Sequence, residues 1–489
     1  KVKLRGLWCN YNNRKNDTLV YNEYLNRIGN IEIDWEQATW ADYEQKINLY
    51  YSSNDVPDIA ICGDPSGTGG KYGPSGIFID YEEYKDYMPN FRNLIEKYPY
   101  LNSTLDDQGH RYVIPTSIDG ILTQDWAMLS WFYNKTLLEQ YNIPVPETMD
   151  DVLNAARQLK AKDPEIIPLI AGELGDLMGS IMPLFGINSY GIEYDFDSKE
   201  WFYTPLDQTE TYRAAVQLCN TLWKEKLLDP ELATDNMDRI IQKMSNGKWA
   251  FQFAYITFYN ESFKSKGVDL KWQPEPMKPP AINGKSYLPY TQTFDGDSWW
   301  GIVSGSNTKY PELVCSLIDF TLSEEISDLL NWGIENVIYK KNADGSKSYL
   351  PDVKTPSNPN GTKELVDIGL TNYNHILFKL ADINATKLLS YGEWELKAQE
   401  FVDESLDNGT IIPQYRPQTP RFTQEEQDII SSAMTPIDTF VEEEMLKFIM
   451  GEKSMDEFDE FINKISTYGD IKAVIDIYNS KPKFELSPR

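Results

Sequence analysis

The chain has 489 residues, room for two or three ordinary domains with separate cores, and carries a formal charge of −29 at neutral pH. That acidity excludes a nucleic-acid partner, since no block of Lys or Arg occurs to meet phosphates, and it disfavours anionic lipid surfaces and polyanionic ligands. No apolar run is long enough to cross a bilayer, so the acidity is read as serving solubility.

Residues 1 to about 120 alternate strand and helix signals, as a parallel sheet does. Val2 to Trp8 reads as a strand, Thr18 to Ile28 as a helix and Ile31 to Trp35 as a second strand. A helix through Trp40, Tyr43 and Ile47 follows, then a third strand over Val56 to Cys62. Each strand ends in polar or small residues: Asn10 and Asn12, then Gln37, then Gly63-Asp64. In open α/β sheets the ligand sits just beyond such carboxyl ends. Because Lys1 to Arg5 runs straight into a strand, any export leader and lipid-anchoring cysteine are expected upstream.

Asp107-Gln108-Gly109 opens a turn before the short strand Tyr112 to Pro115. A second body is expected from about 127 to 298. It starts with a strand ending in Tyr133-Asn134-Lys135, a short helix and a proline-marked turn. Thr148 and Asp151 then have capping-box spacing ahead of Val152, Ala155 and Leu159, and Asp163-Pro164 stops that helix. Further on come a hairpin-like Trp201-Phe202-Tyr203, a helix over Tyr212 to Lys226 and a buried strand from Trp249. Trp299 to Val303 is another strand, Pro311 opens a helix over Leu313 to Leu330, and residues 345–361 form a loop. The remainder is helical, from Gln424 to Met450 and from Met455 to Ile465. The four cysteines have no metal spacing; Cys219 lies on an apolar helical stripe and is read as a buried thiol. Cys9 and Cys62 both end strands that can be neighbours, and whether they pair is left open.

Tyr133-Asn134-Lys135, Leu222-Trp223-Lys224-Glu225 with Asp229-Pro230, Asn246-Gly247-Lys248-Trp249-Ala250 and Tyr310-Pro311-Glu312 together resemble family 1 extracellular solute-binding proteins of carbohydrate ABC importers. Glu425-Glu426 through Ile430, and Phe448 to Gly451 followed by Phe458-Asp459-Glu460-Phe461, resemble the large lipoprotein-type branch found mainly in Gram-positive bacteria. That branch includes oligosaccharide and alginate binders. The resemblance implies an α/β, periplasmic-binding-protein-like fold: two α/β lobes joined by a hinge, a ligand cleft and extra C-terminal helices. The first lobe would comprise 1–120, the second 121–300, a return to the first 301–365, and 366–489 mainly the second lobe and C-terminal helices. The implied partners are an oligosaccharide, expected to be neutral, and the transmembrane subunits of an ABC permease. A monomer on the outer face of the cytoplasmic membrane is expected, held only by a lipid anchor. Some alginate binders hold calcium in an oxygen-rich loop, but Asp195 to Ser198 and Asn342 to Gly345 lack the full ligand series. Both are read as hairpin turns, and no cofactor or metal is expected.

A neutral sugar is held by aromatic platforms and by Asp, Asn and Gln matched to vicinal hydroxyls. By strand-end position the candidates are Trp8, Asn10, Asn12, Gln37 and Asp64, with Trp40 nearby. Asp119 and Trp126 sit at the first crossing, while Tyr255 and Asn260 follow the strand from Trp249. Asp295, Asp297, Trp299 and Trp300 make the densest mixture of carboxylates and indoles, and are assigned to the second lobe. A core role is the competing reading for Trp8 and Trp40. No enzyme is expected: His110 and His375 stand in no motif, and no Gly-x-Ser-x-Gly elbow occurs. Gly67 to Gly73 is read as a loop without strand-to-helix context, and Lys71 is not followed by Ser or Thr. The alternatives are a peptide- or other-solute-binding or sensing lipoprotein of the same fold, and a glycoside hydrolase using two of the 75 acidic residues.

Overall fold

The computed structural model describes residues 1–9, 17–63, 65–106, 108–115, 117–118, 129–171, 174–232, 237–255, 263, 270–288, 300–370, 379–380, 382–390, 392–415, 417, 420 and 422–484. The strands of its two larger sheets are, in chain order, β1 (Val2–Cys9), β2 (Ile31–Ala38), β3 (Ile59–Gly63), β4 (Ile114–Pro115), β5 (Leu129–Asn134), β6 (Ile167–Leu169), β7 (Trp249–Tyr255), β8 (Pro274–Met277) and β9 (Trp300–Val303). The helices used below are α1 (Leu19–Ile28), α2 (Trp40–Ser53), α3 (Pro65–Tyr72), α4 (Met149–Lys162), α5 (Thr209–Lys224), α6 (Pro311–Thr321), α7 (Glu324–Trp332), α8 (Glu393–Asp407) and α9 (Gln424–Met450).

The chain divides into two compact units. The first contains Lys1–Thr123, Asp295–Gly392 and Thr419–Glu425; the second contains Gln124–Phe294, Glu393–Gln418 and Glu426–Arg489. The return stretch therefore runs well past residue 365. Ile368 and Leu370 are buried in the first unit's core, Lys379 and Leu380 pair with Ser117 and Ile118, and Asn331 Nδ2 donates to the Leu380 carbonyl at 2.6 Å. Trp300 also falls in the first unit rather than closing the second, because β9 is hydrogen-bonded into the first unit's sheet.

In the first unit the sheet order is β2-β1-β3-β9-β4. Strand β1 lies between two neighbours and ends in an unbroken buried run, Gly6 to Cys9, as expected for a strand covered on both faces. Strand β2 is an edge strand, with solvent-facing charges interleaved among apolar positions. Gly6 pairs with Trp35, whose indole lies across it: a Cβ at Gly6 would stand 2.3 Å from Trp35 Cε3. Thr18 caps α1 by accepting from Tyr21 N at 3.3 Å. The single helix expected over Leu313–Leu330 is two, α6 and α7. Ser323 (φ −66°, ψ 151°) leaves helical geometry and caps α7 through Ile326 N.

Asp80 organises the approach to β4. It accepts from the backbone of Glu82 at 3.0 Å and Arg111 at 2.9 Å, and lies 2.6 Å from His110 Nδ1. That carboxylate raises the His110 pKa above its usual 6.5. A raised folded-state pKa gives stability that is complete below the unfolded value and is lost as pH rises through the folded one. The ring is half-exposed and screened, so the term amounts to about 1 kcal/mol or less. His110→Gln is expected to flatten the decline in thermal midpoint of the first unit between about pH 6 and 8. An unchanged pH profile would remove His110 from this account.

The second unit is built on the sheet β8-β5-β7-β6. The capping box expected at α4 is present: Asp151 N donates to Thr148 Oγ1 at 3.1 Å, and Thr148 N donates to Asp151 Oδ2 at 3.0 Å. Val152, Ala155, Ala156 and Leu159 form its buried face. Cys219 is buried on α5, as its stripe predicts. Helix α9 spans 27 residues with Pro436 inside it. Its buried residues Ile437, Val441, Met445 and Phe448 recur at helical spacing and join the main core of this unit with Trp131, Tyr212, Phe251 and Phe461. Asn220 ties α5 to α9 by donating to the Phe448 carbonyl at 2.7 Å. Among the described residues no helix is long and apolar enough to cross a membrane.

Candidate ligand site

In the first unit β1 pairs in parallel with β2 and β3, while β9 runs antiparallel to both β3 and β4. The carboxyl ends of β1 to β4 therefore meet the amino end of β9 along one edge. The register puts Trp8 opposite Gln37, Gly63 opposite Trp300 and Pro115 opposite Gly301. Thus Trp8, Gln37 and Trp300, far apart in sequence, share that edge by backbone pairing alone. Asn10 follows β1 and Asp64 follows β3 in the sequence, but Asn10, Asn12, Asp64, Asp119, Trp126, Asn260, Asp295, Asp297 and Trp299 lie outside the described residues.

Trp8, expected as a platform, is 0% exposed and shares a buried cluster with Ile61. Its indole therefore serves the core. Gln37 is half-buried at the end of the edge strand, and Trp40 is the first residue of α2. The segment read as a loop from Gly67 is helical: α3 begins two residues after β3 ends. Strand-to-helix context is thus present there. Gly67, Gly69 and Gly70 lie within the helix, and Lys71 is followed by Tyr72 rather than the Ser or Thr that holds magnesium in a phosphate-binding loop.

In the second unit β7 pairs antiparallel with β5 and parallel with β6, and Tyr255 lies opposite Leu129. The predicted Tyr255 is therefore at the carboxyl end of a central strand, beside the start of β5. Directly opposed residues share a face, so Gln252 with Phe132 and Ala254 with Ser130 lie on one side of the sheet. Helix α8 covers that side, its Ala398 packing on Phe132. Its inward positions also include Glu395, which is fully buried, and Gln399. Glu275 on β8 receives both Lys135 and Lys397 at 3.3 Å and fixes the helix against the strand. The Glu393 carboxylate, and then Glu275, raise the Lys397 pKa. Buried beneath α8, these amide, hydroxyl and carboxyl groups form an enclosed polar part of the core. Sequence reasoning missed this group. The available signal was Gln252, a polar residue in the middle of the aromatic run Trp249 to Tyr255.

The turns at Asp195 to Ser198 and Asn342 to Gly345 join antiparallel pairs, Ile192–Asp195 with Glu200–Tyr203 and Tyr339–Lys341 with Lys347–Tyr349. Both carboxylates are occupied by turn backbone: Asp195 Oδ1 accepts from Asp197 N at 2.8 Å, and Asp344 Oδ1 from Ser346 N at 3.0 Å.

Residues 17–327 match the family described as bacterial extracellular solute-binding protein. A stretch of 215 residues is 26% identical to the melibiose/raffinose/stachyose-binding protein MelE of Bacillus subtilis (strain 168), covering 43% of this chain and 46% of MelE. The match thus spans about half the length of that relative. Calcium-free alginate-binding protein AlgQ2 is similar in structure over 98% of this chain and 97% of its own, at 19% identity and a TM-score of 0.74. An EF-hand mutant of the S. pneumoniae ABC-transporter substrate-binding protein FusA, in complex with fructo-nystose, is similar over 98% of both chains, at 19% identity and a TM-score of 0.75. At such identities the structural likeness speaks to the fold, which is the periplasmic-binding-protein-like α/β fold that the sequence motifs implied. With the family match extending over most of the chain, the protein belongs to the bacterial extracellular solute-binding protein family.

Proposed function

We propose that this protein is the substrate-binding component of an ABC importer, that it captures a neutral oligosaccharide outside the cell, and that it delivers the sugar to a membrane permease without altering it. The observation that carries the reading is the family match over residues 17–327. The edge to which backbone pairing brings Gln37 and Trp300 supports the reading, because amides and aromatics are the residue types such a ligand needs. MelE is named for melibiose, raffinose and stachyose, and FusA is described with fructo-nystose. The charge of −29 favours neutral sugars of that kind over a polyanion such as alginate. Anchoring through an upstream lipidated cysteine and action as a monomer complete the proposal.

The test is titration calorimetry of the purified protein against raffinose, stachyose, fructo-nystose, alginate oligomers and a peptide pool, with a reducing-end assay on the same mixtures. Saturable binding of a neutral oligosaccharide with no new reducing ends is the expected result. Binding confined to peptides, or release of reducing ends, overturns the proposal.

A further inference from the structure

Cys9 ends β1, and Cys62 stands one residue before the end of β3, its parallel neighbour. The register pairs Gly6 with Ile59 and Leu7 with Ala60. The ladder ends at that pair, and the same offset extended by two residues aligns Cys9 with Cys62. Alternate residues of a strand share a face, so Leu7, Cys9, Ala60 and Cys62 project to one side. A second observation agrees: Tyr43 of α2 packs in one cluster with both cysteines and donates to the intervening Ile61 carbonyl. Neighbouring strands lie about 4.8 Å apart, inside the Cα separation of about 4.4–6.8 Å that a disulfide spans. Neither cysteine is joined in a disulfide in this structure.

We propose that Cys9 and Cys62 are a redox-sensitive staple, joining β1 to β3 directly below the strand ends that carry the candidate ligand residues. The oxidant is a small disulfide, RSSR. One cysteine thiolate attacks RSSR, giving a mixed disulfide and RS⁻; the second displaces the remaining RS⁻. One protein S–S bond forms, the S–S bond of RSSR breaks, and the two cysteine protons end on two molecules of RSH. Burial pushes the Cys9 thiol up to about 11, so exchange is slow in the folded protein near neutral pH. The staple therefore closes as the chain folds in an oxidising compartment.

The full chain, unfolded in guanidinium chloride, is refolded at pH 8.5 in a mixture of reduced and oxidised glutathione, digested without reduction and analysed by mass spectrometry. The expected product is a peptide pair joined through Cys9 and Cys62, about 2 Da lighter than the separate peptides and released by dithiothreitol. The oxidised protein should melt several degrees above the reduced one, because the link closes a loop of about fifty residues. Cys9→Ala or Cys62→Ala abolishes both effects, and either variant serves if the other fails to fold. Four titratable thiols after refolding, a link to Cys219 or Cys315 instead, or a link that lowers the melting temperature overturns the staple. Nothing in this test depends on which solute is bound.

Discussion

Arg111→Ala is expected to destabilise the first unit by about 3–5 kcal/mol, the usual cost of breaking a buried ion pair and leaving its partners unmatched. The side chain is 1% exposed, and its guanidinium makes four hydrogen bonds. Nε donates to Glu82 Oε1 at 2.8 Å, Nη1 to the Leu101 carbonyl and Thr104 Oγ1 at 2.6 Å each, and Nη2 to Asn102 Oδ1 at 3.2 Å. The cation also lies 5.2 Å from the centre of the Phe91 ring. Burial lowers the Arg111 pKa, and the Glu82 carboxylate works against that shift. Alanine opens a cavity, leaves the Leu101 carbonyl and Thr104 hydroxyl only their own 3.3 Å bond, and takes the cation from Glu82. Lysine keeps the charge but cannot reproduce the planar fork, so Arg111→Lys should recover less than half of the loss. The measurement is guanidinium chloride unfolding followed by fluorescence, fitted to the first unit's own transition. A midpoint shift worth less than about 1 kcal/mol would show that the network contributes little. Arg111 opens the stretch into β4, whose carboxyl end belongs to the candidate edge, so loosening it should reach the ligand strands as well.

The parts of this architecture legible from sequence are those set by neighbours in the chain. The Thr148–Asp151 box, the turns at Asp195 and Asn342, and the buried stripe of α5 each follow from residues within one or two turns. The parallel order of β1 to β3 was legible for the same reason, since strand and helix signals alternate without interruption. What escaped depends on distant partners. The break at Ser323 is hidden because apolar residues continue through it, and only the extended backbone of Ser323 reveals two helices. The late return crossing rests on Asn331 reaching Leu380 and on Ser117 pairing with Lys379, which no local pattern announces. Trp8 is instructive because position alone placed it next to the end of β1, while only its complete burial decides that its ring is enclosed. Likewise, the burial of Gln252 on β7 and Glu395 on α8 follows only once Ala398 of α8 is packed on Phe132 of β5.

The largest expected effect on binding is at Trp299 and Trp300. Trp300 pairs with Gly63 at the amino end of β9, on the edge where the carboxyl ends of β1 to β4 meet. Trp299 lies outside the described residues; read from the sequence, consecutive strand positions point to opposite faces, so one of the two indoles is expected to meet the solute and the other to pack inward. Covering the face of a sugar ring with an indole removes on the order of 80–100 Å² of apolar surface, worth about 2–2.5 kcal/mol at 25 cal/mol per Å². One alanine variant should therefore weaken binding of the best sugar from the calorimetric panel by about 30- to 70-fold with little change in melting temperature. The other should lose melting temperature while keeping its affinity. Trp8→Ala provides the contrast: removing a fully enclosed indole should cost about 3–5 kcal/mol of stability, and binding should weaken only to the extent that the first unit unfolds. Wild-type affinity in both Trp299→Ala and Trp300→Ala would remove these residues from the site. Direct loss of affinity in a fully folded Trp8→Ala would return that indole to it. The three variants together separate an aromatic platform from an aromatic core, a distinction that strand-end position by itself does not make.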